Sequence, residues 1–133
     1  DRLNSSNPLE RAHGIRLLGE SEQAADSVVP QLLNALADPN YLVRQRAAEA
    51  LGRRGDHRAI KPLMVALQRG SEYPEVRSRA AEALGYLEAA EAVEPLKDCL
   101  NGMVWNVRYQ AVIALGRIGD PSDPVRGLAD ARQ

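Results

Sequence analysis

Val43-Arg44-Gln45-Arg46-Ala47-Ala48-Glu49-Ala50-Leu51-Gly52 returns as Val76-Arg77-Ser78-Arg79-Ala80-Ala81-Glu82-Ala83-Leu84-Gly85. It returns again as Val107-Arg108-Tyr109-Gln110-Ala111-Val112-Ile113-Ala114-Leu115-Gly116, and a worn copy runs from Glu10-Arg11 to Leu18-Gly19. The closing glycines are spaced by 33, 33 and 31 residues. A fixed period of that size marks a solenoid, in which each unit buries its apolar face only against its neighbours. Val43, Ala47, Ala50 and Leu51 share one helical face, and Ile60, Leu63, Ala66 and Leu67 share another after a short hinge. Gly52 and Gly55 are expected to bracket the end of the first helix, Gly for its tolerance of the left-handed cap conformation. Asp56 is expected to cap the second helix, with Pro62 in its first turn.

The hairpin recurs through Val93, Pro95, Leu96, Cys99 and Leu100, and earlier through Val29, Leu32, Leu33, Ala35 and Leu36. The fold expected is therefore all-α: a right-handed solenoid of about four helical hairpins, with units about 8–37, 38–70, 71–102 and 103–130 of one array spanning 1–133. Leu3 through Arg11 aligns with Leu36 through Arg44, so Leu3 stands where the last core leucine of a preceding hairpin belongs. The chain accordingly reads as a fragment of a longer array. After Gly119-Asp120-Pro121 the register is lost, and a short or frayed last helix is expected there.

The 133 residues carry a net charge of −1, which argues against a general polyanion binder. No apolar run has the length of a membrane span. A single cysteine forbids an internal disulfide and points to a cytoplasmic setting. Aromatic residues are only 4%, so Leu, Ala, Val and Ile carry the packing.

The pattern Val-Arg-x-x-Ala-Ala-x-Ala-Leu-Gly, a Gly-Asp hinge, and Ala-Ile-x-Pro-Leu-x-x-Ala-Leu resembles HEAT-like repeats of the phycobilisome-lyase type. Gly52 to Leu67 matches nearly throughout, and the likeness covers roughly residues 9 to 120. The resemblance implies a protein-handling array. Members of the family include bilin-lyase subunits, phycobilisome factors and scaffolds. A related group, the deoxyhypusine hydroxylases, holds two irons through His-Glu pairs. Here His13 precedes Gly14 and His57 precedes Arg58, so that motif is absent.

Four features invite a functional reading. Arg11, Arg44, Arg77 and Arg108 hold one slot in all four units. As the resemblance implies, each pairs with a residue of the loop before it: Asp38 for Arg44, Glu72 for Arg77 and Asn101 for Arg108. This makes the ladder structural. Cys99 aligns with Ala35 and Ala66, as a small buried residue would. Residues 37–70 carry a net +4 and residues 71–102 a net −4, which suits attraction between neighbouring units better than a nucleic-acid groove. Trp105, Tyr109 and Ile113 are spaced i, i+4, i+8 and form an apolar stripe where the other units are polar. The stripe is either a contact site or a surface covered by residues 121–133.

Second helices usually line the concave side of such an array, and the residues left facing out there are Asn34, Lys61, Val65, Gln68, Glu94, Asp98 and Asn101. No nucleophile–base pair, metal-ligand spacing or phosphate loop is present in the sequence, so no catalytic, cofactor or metal residue is assigned. The leading expectation is a non-catalytic scaffold that binds a protein or peptide, with nucleic acid disfavoured. The alternative is a subunit or fragment of a phycobilin lyase or another phycobilisome-handling factor.

Overall fold

The computed structural model describes residues 2–119. Seven α-helices fill it: α1 (Pro8–Glu20), α2 (Ala25–Ala35), α3 (Tyr41–Arg54), α4 (Ile60–Gln68), α5 (Pro74–Tyr86), α6 (Val93–Cys99) and α7 (Trp105–Ile118). No strand occurs among the described residues. Three 3-10 turns, Arg2–Asn4, His57–Ala59 and Ala90–Ala92, precede α1, α4 and α6. The chain is an α-solenoid. The first helices α1, α3, α5 and α7 stack in a row, and α2, α4 and α6 each lie against the first helix of the following unit. The expected departure from register after Gly119 lies outside the described residues, as does the end of the fourth unit.

Local chemistry sets the helix ends. Asn7 and Asn40 cap α1 and α3 by accepting the backbone N–H of Leu9 and Leu42 at 2.9 and 2.8 Å. Pro8 and Pro74 occupy first-turn positions, where a missing N–H is harmless. Asp56 accepts the Arg58 N–H at 2.9 Å and so caps the turn that leads into α4. Gly55 and Gly119 end α3 and α7 in the left-handed conformation, at φ 66° and 70°.

Gly52 does something else. It sits inside α3 with no left-handed backbone, which corrects the expectation that it forms part of the cap. Its role is proximity. A Cβ at Gly52 would lie 2.8 Å from the Ala83 Cβ and 2.9 Å from the Ala83 Cα. The same collision awaits a Cβ at Gly19, 2.5 Å from the Ala50 Cβ, and at Gly85, 2.8 Å from the Ala114 Cα. Each repeat glycine thus seats an alanine of the next first helix. Around these contacts runs one continuous core in which Val28, Val29, Leu32, Leu51, Leu63, Leu67, Leu84 and Leu96 are fully buried. Each such leucine contributes roughly 1.5–3 kcal/mol by leaving water.

The arginine ladder is the polar counterpart of the glycine contacts, and it points forward along the chain. Arg11 holds Asp38 through Nε and Nη2 at 2.9 and 3.0 Å, and its Nη1 donates to the Ser5 carbonyl at 2.9 Å. Arg44 holds Glu72 in the same way at 2.9 and 2.8 Å, and its Nη1 donates to the Asp38 carbonyl at 2.8 Å. The expected partners are therefore displaced by one unit. The carboxylate comes from the loop after the arginine's own hairpin, and the loop before it offers only backbone carbonyls. Geometry explains this: the fork must span from one first helix to the loop that launches the next. Arg77 donates to the Leu67 carbonyl and Arg108 to the Gly102 carbonyl, not to Glu72 or Asn101.

These pairs sit in partial shelter, with the Glu72 side chain only 3% exposed. Burial pushes the Glu72 carboxyl up, but the Arg44 hydrogen bonds, the Tyr73 N–H and the charges of Arg44 and Arg69 outweigh it, and its pKa falls below the ordinary value. Asp38 behaves alike: burial is overcome by Arg11, the Asn40 N–H and Arg44. Between the second and third units Arg79 also reaches Glu49 at 3.3 Å, an ion pair whose signs run against the net charges of the two units.

Gly52→Ala should lower the melting temperature although alanine is the better helix former, because overpacking here costs about 1–3 kcal/mol. Gly116→Ala should raise it, by up to about 1 kcal/mol of helix propensity, since no described atom lies within 4 Å of its Cβ position. Circular-dichroism melts that rank the two variants the other way would exclude the close-approach role.

Arg44→Ala should destabilise by roughly 3 kcal/mol in urea titration, because it strands the sheltered Glu72. Arg79→Ala, at a 38% exposed site, should cost under about 1 kcal/mol. Equal losses would count against the ladder.

The ladder also carries a pH signature. Asp38 and Glu72 have depressed folded-state pKa values, so their contribution is complete above the unfolded carboxylate range and is lost as pH falls through the folded values. Asp38→Asn with Glu72→Gln should be less stable than the parent near pH 7, and its stability should fall less between about pH 5 and about pH 2. Parallel stability–pH curves would show that the ladder does not drive acid unfolding.

Candidate functional site

The seven outward residues of the second helices all reach solvent. Asn34, Lys61, Val65, Gln68, Glu94, Asp98 and Asn101 are exposed on or beside α2, α4 and α6. Grooves separate these helices. One pocket of about 210 Å³ joins Asn34 and Gln31 to Arg11 and Asp38. A second, of about 250 Å³, brings Val65, Pro62 and Arg69 beside Glu72. A third, also about 250 Å³, gathers Gln68 and Asp98 around Arg77 and Cys99. Each pocket thus joins candidates from the second helices to a ladder residue. Lys61, Glu94 and Asn101 stand on the open surface, where Glu94 meets Lys97 at 3.7 Å.

The aromatic stripe lies elsewhere, on the outer side of α7. Trp105 is 70% exposed and Tyr109 58% exposed, while Ile113 is half-buried. Val112, which sequence reasoning left out, is 58% exposed beside them. Apart from Tyr41, which is 36% exposed, the equivalent positions in α3 and α5 are not open surface. Ala48, Ala81 and Ser78 are buried, and Gln45, Glu49 and Glu82 are half-buried. They face the next first helix, one or more turns before Gly52 and Gly85 on the same side. The stripe is therefore the stacking face of α7, and it ends at Gly116. Whether residues 121–133 cover it lies outside the described residues. The sequence held a signal for Val112: it stands where Ala48 and Ala81 stand, enlarged at a position that close stacking keeps small.

A second aromatic feature joins the units. Tyr41 and Tyr73 stack with ring centroids 4.5 Å apart at 4°, and the Arg44 guanidinium lies 5.9 Å from the Tyr73 ring. Arg54 went unnoticed in the sequence. It donates to the carbonyls of Ser21 and Gln23 at 3.0 and 2.8 Å and ties the α1–α2 loop to the end of α3.

Cys99 is buried, as its alignment with Ala35 and Ala66 implies. Burial raises its thiol pKa, and the nearby Arg77 only partly offsets this. A raised pKa keeps the sulfur as a neutral thiol and a poor nucleophile. The two histidines do not suit an iron pair. His13 meets the Arg2 guanidinium at 2.6 Å on the surface, and His57 lies in the turn before α4. No group of three metal-ligating side chains forms among the described residues. No helix there is long and apolar enough to cross a membrane.

The HEAT-repeat profile matches residues 1–73 and 60–132, which together take in nearly the whole chain. The fold is similar to human deoxyhypusine hydroxylase in complex with glycerol, with a TM-score of 0.75 and 27% identity over 87% of this chain and 40% of that one. It is also similar to the complex of CpcE and CpcF of phycocyanin lyase from Nostoc sp. PCC7120, with a TM-score of 0.77 and 25% identity over 99% of this chain and 52% of that one. This chain thus spans about half or less of the length of either structure's chain. No curated protein matched it. The chain belongs to the HEAT-repeat family, as an array of HEAT-like units of the phycobilisome-lyase type.

Proposed function

We propose that the chain is a non-catalytic scaffold that binds a protein or peptide partner. The observation that carries this reading is the enlarged, exposed stacking face of α7. Tyr109 and Val112 project where the other units are polar or bear alanine, and the exposed Trp105 stands where they carry Tyr41 and Pro74. Exposed aromatic clusters mark contact sites, and aromatic anchors dominate interface energetics. The open second-helix face, with its mixed charges and grooves, supplies a separate polar track. The likeness to a lyase complex of two chains supports a protein partner.

A bilin-lyase subunit is the second reading, supported by the same likeness. Arg108, Trp105 and Tyr109 are the groups that a tetrapyrrole would use. Arg117 is turned toward the Tyr86 ring instead, 4.7 Å from its centroid. Induced visible absorbance on mixing with phycocyanobilin would favour this second reading over the first.

Trp105→Ala combined with Tyr109→Ser should weaken association with a partner captured from the native host by about 2 kcal/mol or more, with little change in melting temperature. Titration calorimetry and a thermal melt read the two effects. The lone Trp105 should emit at long wavelength in the free chain and shift blue on binding. Unchanged affinity in the double variant would remove the stripe from the interface.

A further inference from the structure

The arginine ladder has a gap. In the first two slots a guanidinium and a carboxylate form a two-point pair, Arg11 with Asp38 and Arg44 with Glu72. In the third slot the following unit is present but its carboxylate is not. Asp38 stands five residues before Val43, and five before Val107 stands Gly102. Glu72 stands four residues before Val76, and four before Val107 stands Met103, which is 95% exposed. Arg77 has adapted: its Nε donates to the Leu67 carbonyl at 2.9 Å, and its Nη2 meets only the Cys99 sulfur, at 4.0 Å. Thiol sulfur is a weak acceptor. No carboxylate lies within ion-pair distance of Arg77 among the described residues. The guanidinium borders a pocket of about 250 Å³ between α4 and α6 that also includes Gln68, Pro95, Asp98 and Gly102.

We propose that this slot accepts a carboxylate supplied by a bound peptide, an aspartate or glutamate side chain that takes the place Asp38 and Glu72 fill in the preceding slots. The inference rests on the partner-binding reading above and assigns it a point of recognition. With Nε engaged by Leu67, the Nη1–Nη2 edge can hold the two oxygens of a carboxylate side by side. The Asp98 carboxylate at the rim disfavours a phosphate dianion and tolerates a single charge better. The Gln68 amide, on the same rim, offers a second donor. Arg77 is half-buried, so the pair would form partly out of water, where charge-assisted hydrogen bonds are strongest.

The test uses the isotope-labelled chain and follows the Arg77 Nε–H resonance. N-acetylglutamate amide, which carries one carboxylate, should give a saturable shift with a dissociation constant on the order of 1 mM. N-acetylglutamine amide should give none, and inorganic phosphate should give no more than a salt effect. Met103→Glu, at an exposed site, should fill the slot from within, abolish the response and weaken partner binding at least tenfold. No shift with the glutamate analogue would overturn the proposal, as would an equal shift with the glutamine analogue or phosphate. A partner that binds Met103→Glu as tightly as the parent would also overturn it, while leaving the scaffold reading intact. A saturable carboxylate response in a chain that binds no partner would sink the scaffold reading and keep the slot.

Discussion

At Gly19, Gly52 and Gly85 neighbouring first helices come so near that one added methyl group has nowhere to go. This approach sets the pitch of the array. It fixes how far each loop must reach to meet the arginine of the unit before, and it brings Glu49 within range of Arg79. The same spacing lets Tyr41 lie flat on Tyr73. Were the helices a few ångströms further apart, the two-point contacts of Arg44 with Glu72 would lengthen beyond hydrogen bonding. Apolar packing along the glycines and polar pairing along the arginines thus constrain each other.

The two systems divide the labour between strength and specificity. Alanine against glycine is close but chemically plain, and a unit shifted by one turn would find similar surfaces. The bidentate pairs admit one register, because a fork and a carboxylate must face each other at both points. A unit whose loop lacks the carboxylate keeps its glycine contact, as α5 and α7 do through Gly85 and Ala114, yet leaves its arginine for other work.

The repeat motif made the helices, their order and the core legible, because periodicity depends only on which residues recur. The face of α4 that carries Ile60, Leu63 and Leu67 is buried as its spacing implied. What one unit's sequence could not give was the direction of contacts between units. Arg44 has an acid before it and an acid after it, and only the packed helices show that Glu72 is the partner. The role of Gly52 was hidden likewise, since a glycine near a helix end suits a cap as well as a close approach. The stripe on α7 was visible as a chemical anomaly, but its place on the stacking face emerged only when Gly116 was seen on the same side. The outward polar residues of the second helices were read correctly as exposed, because solvent exposure follows from the helical register alone.

Among the described residues, every extensive contact between elements joins the same or an adjacent unit. No two distant parts of the chain must find each other before the structure is stabilised. The loops to be closed are short, so the entropic barrier to each step is small and folding can begin at any hairpin pair and spread outward. Central units, flanked on both sides, should then exchange their backbone amide hydrogens most slowly, with protection declining toward either end of the row.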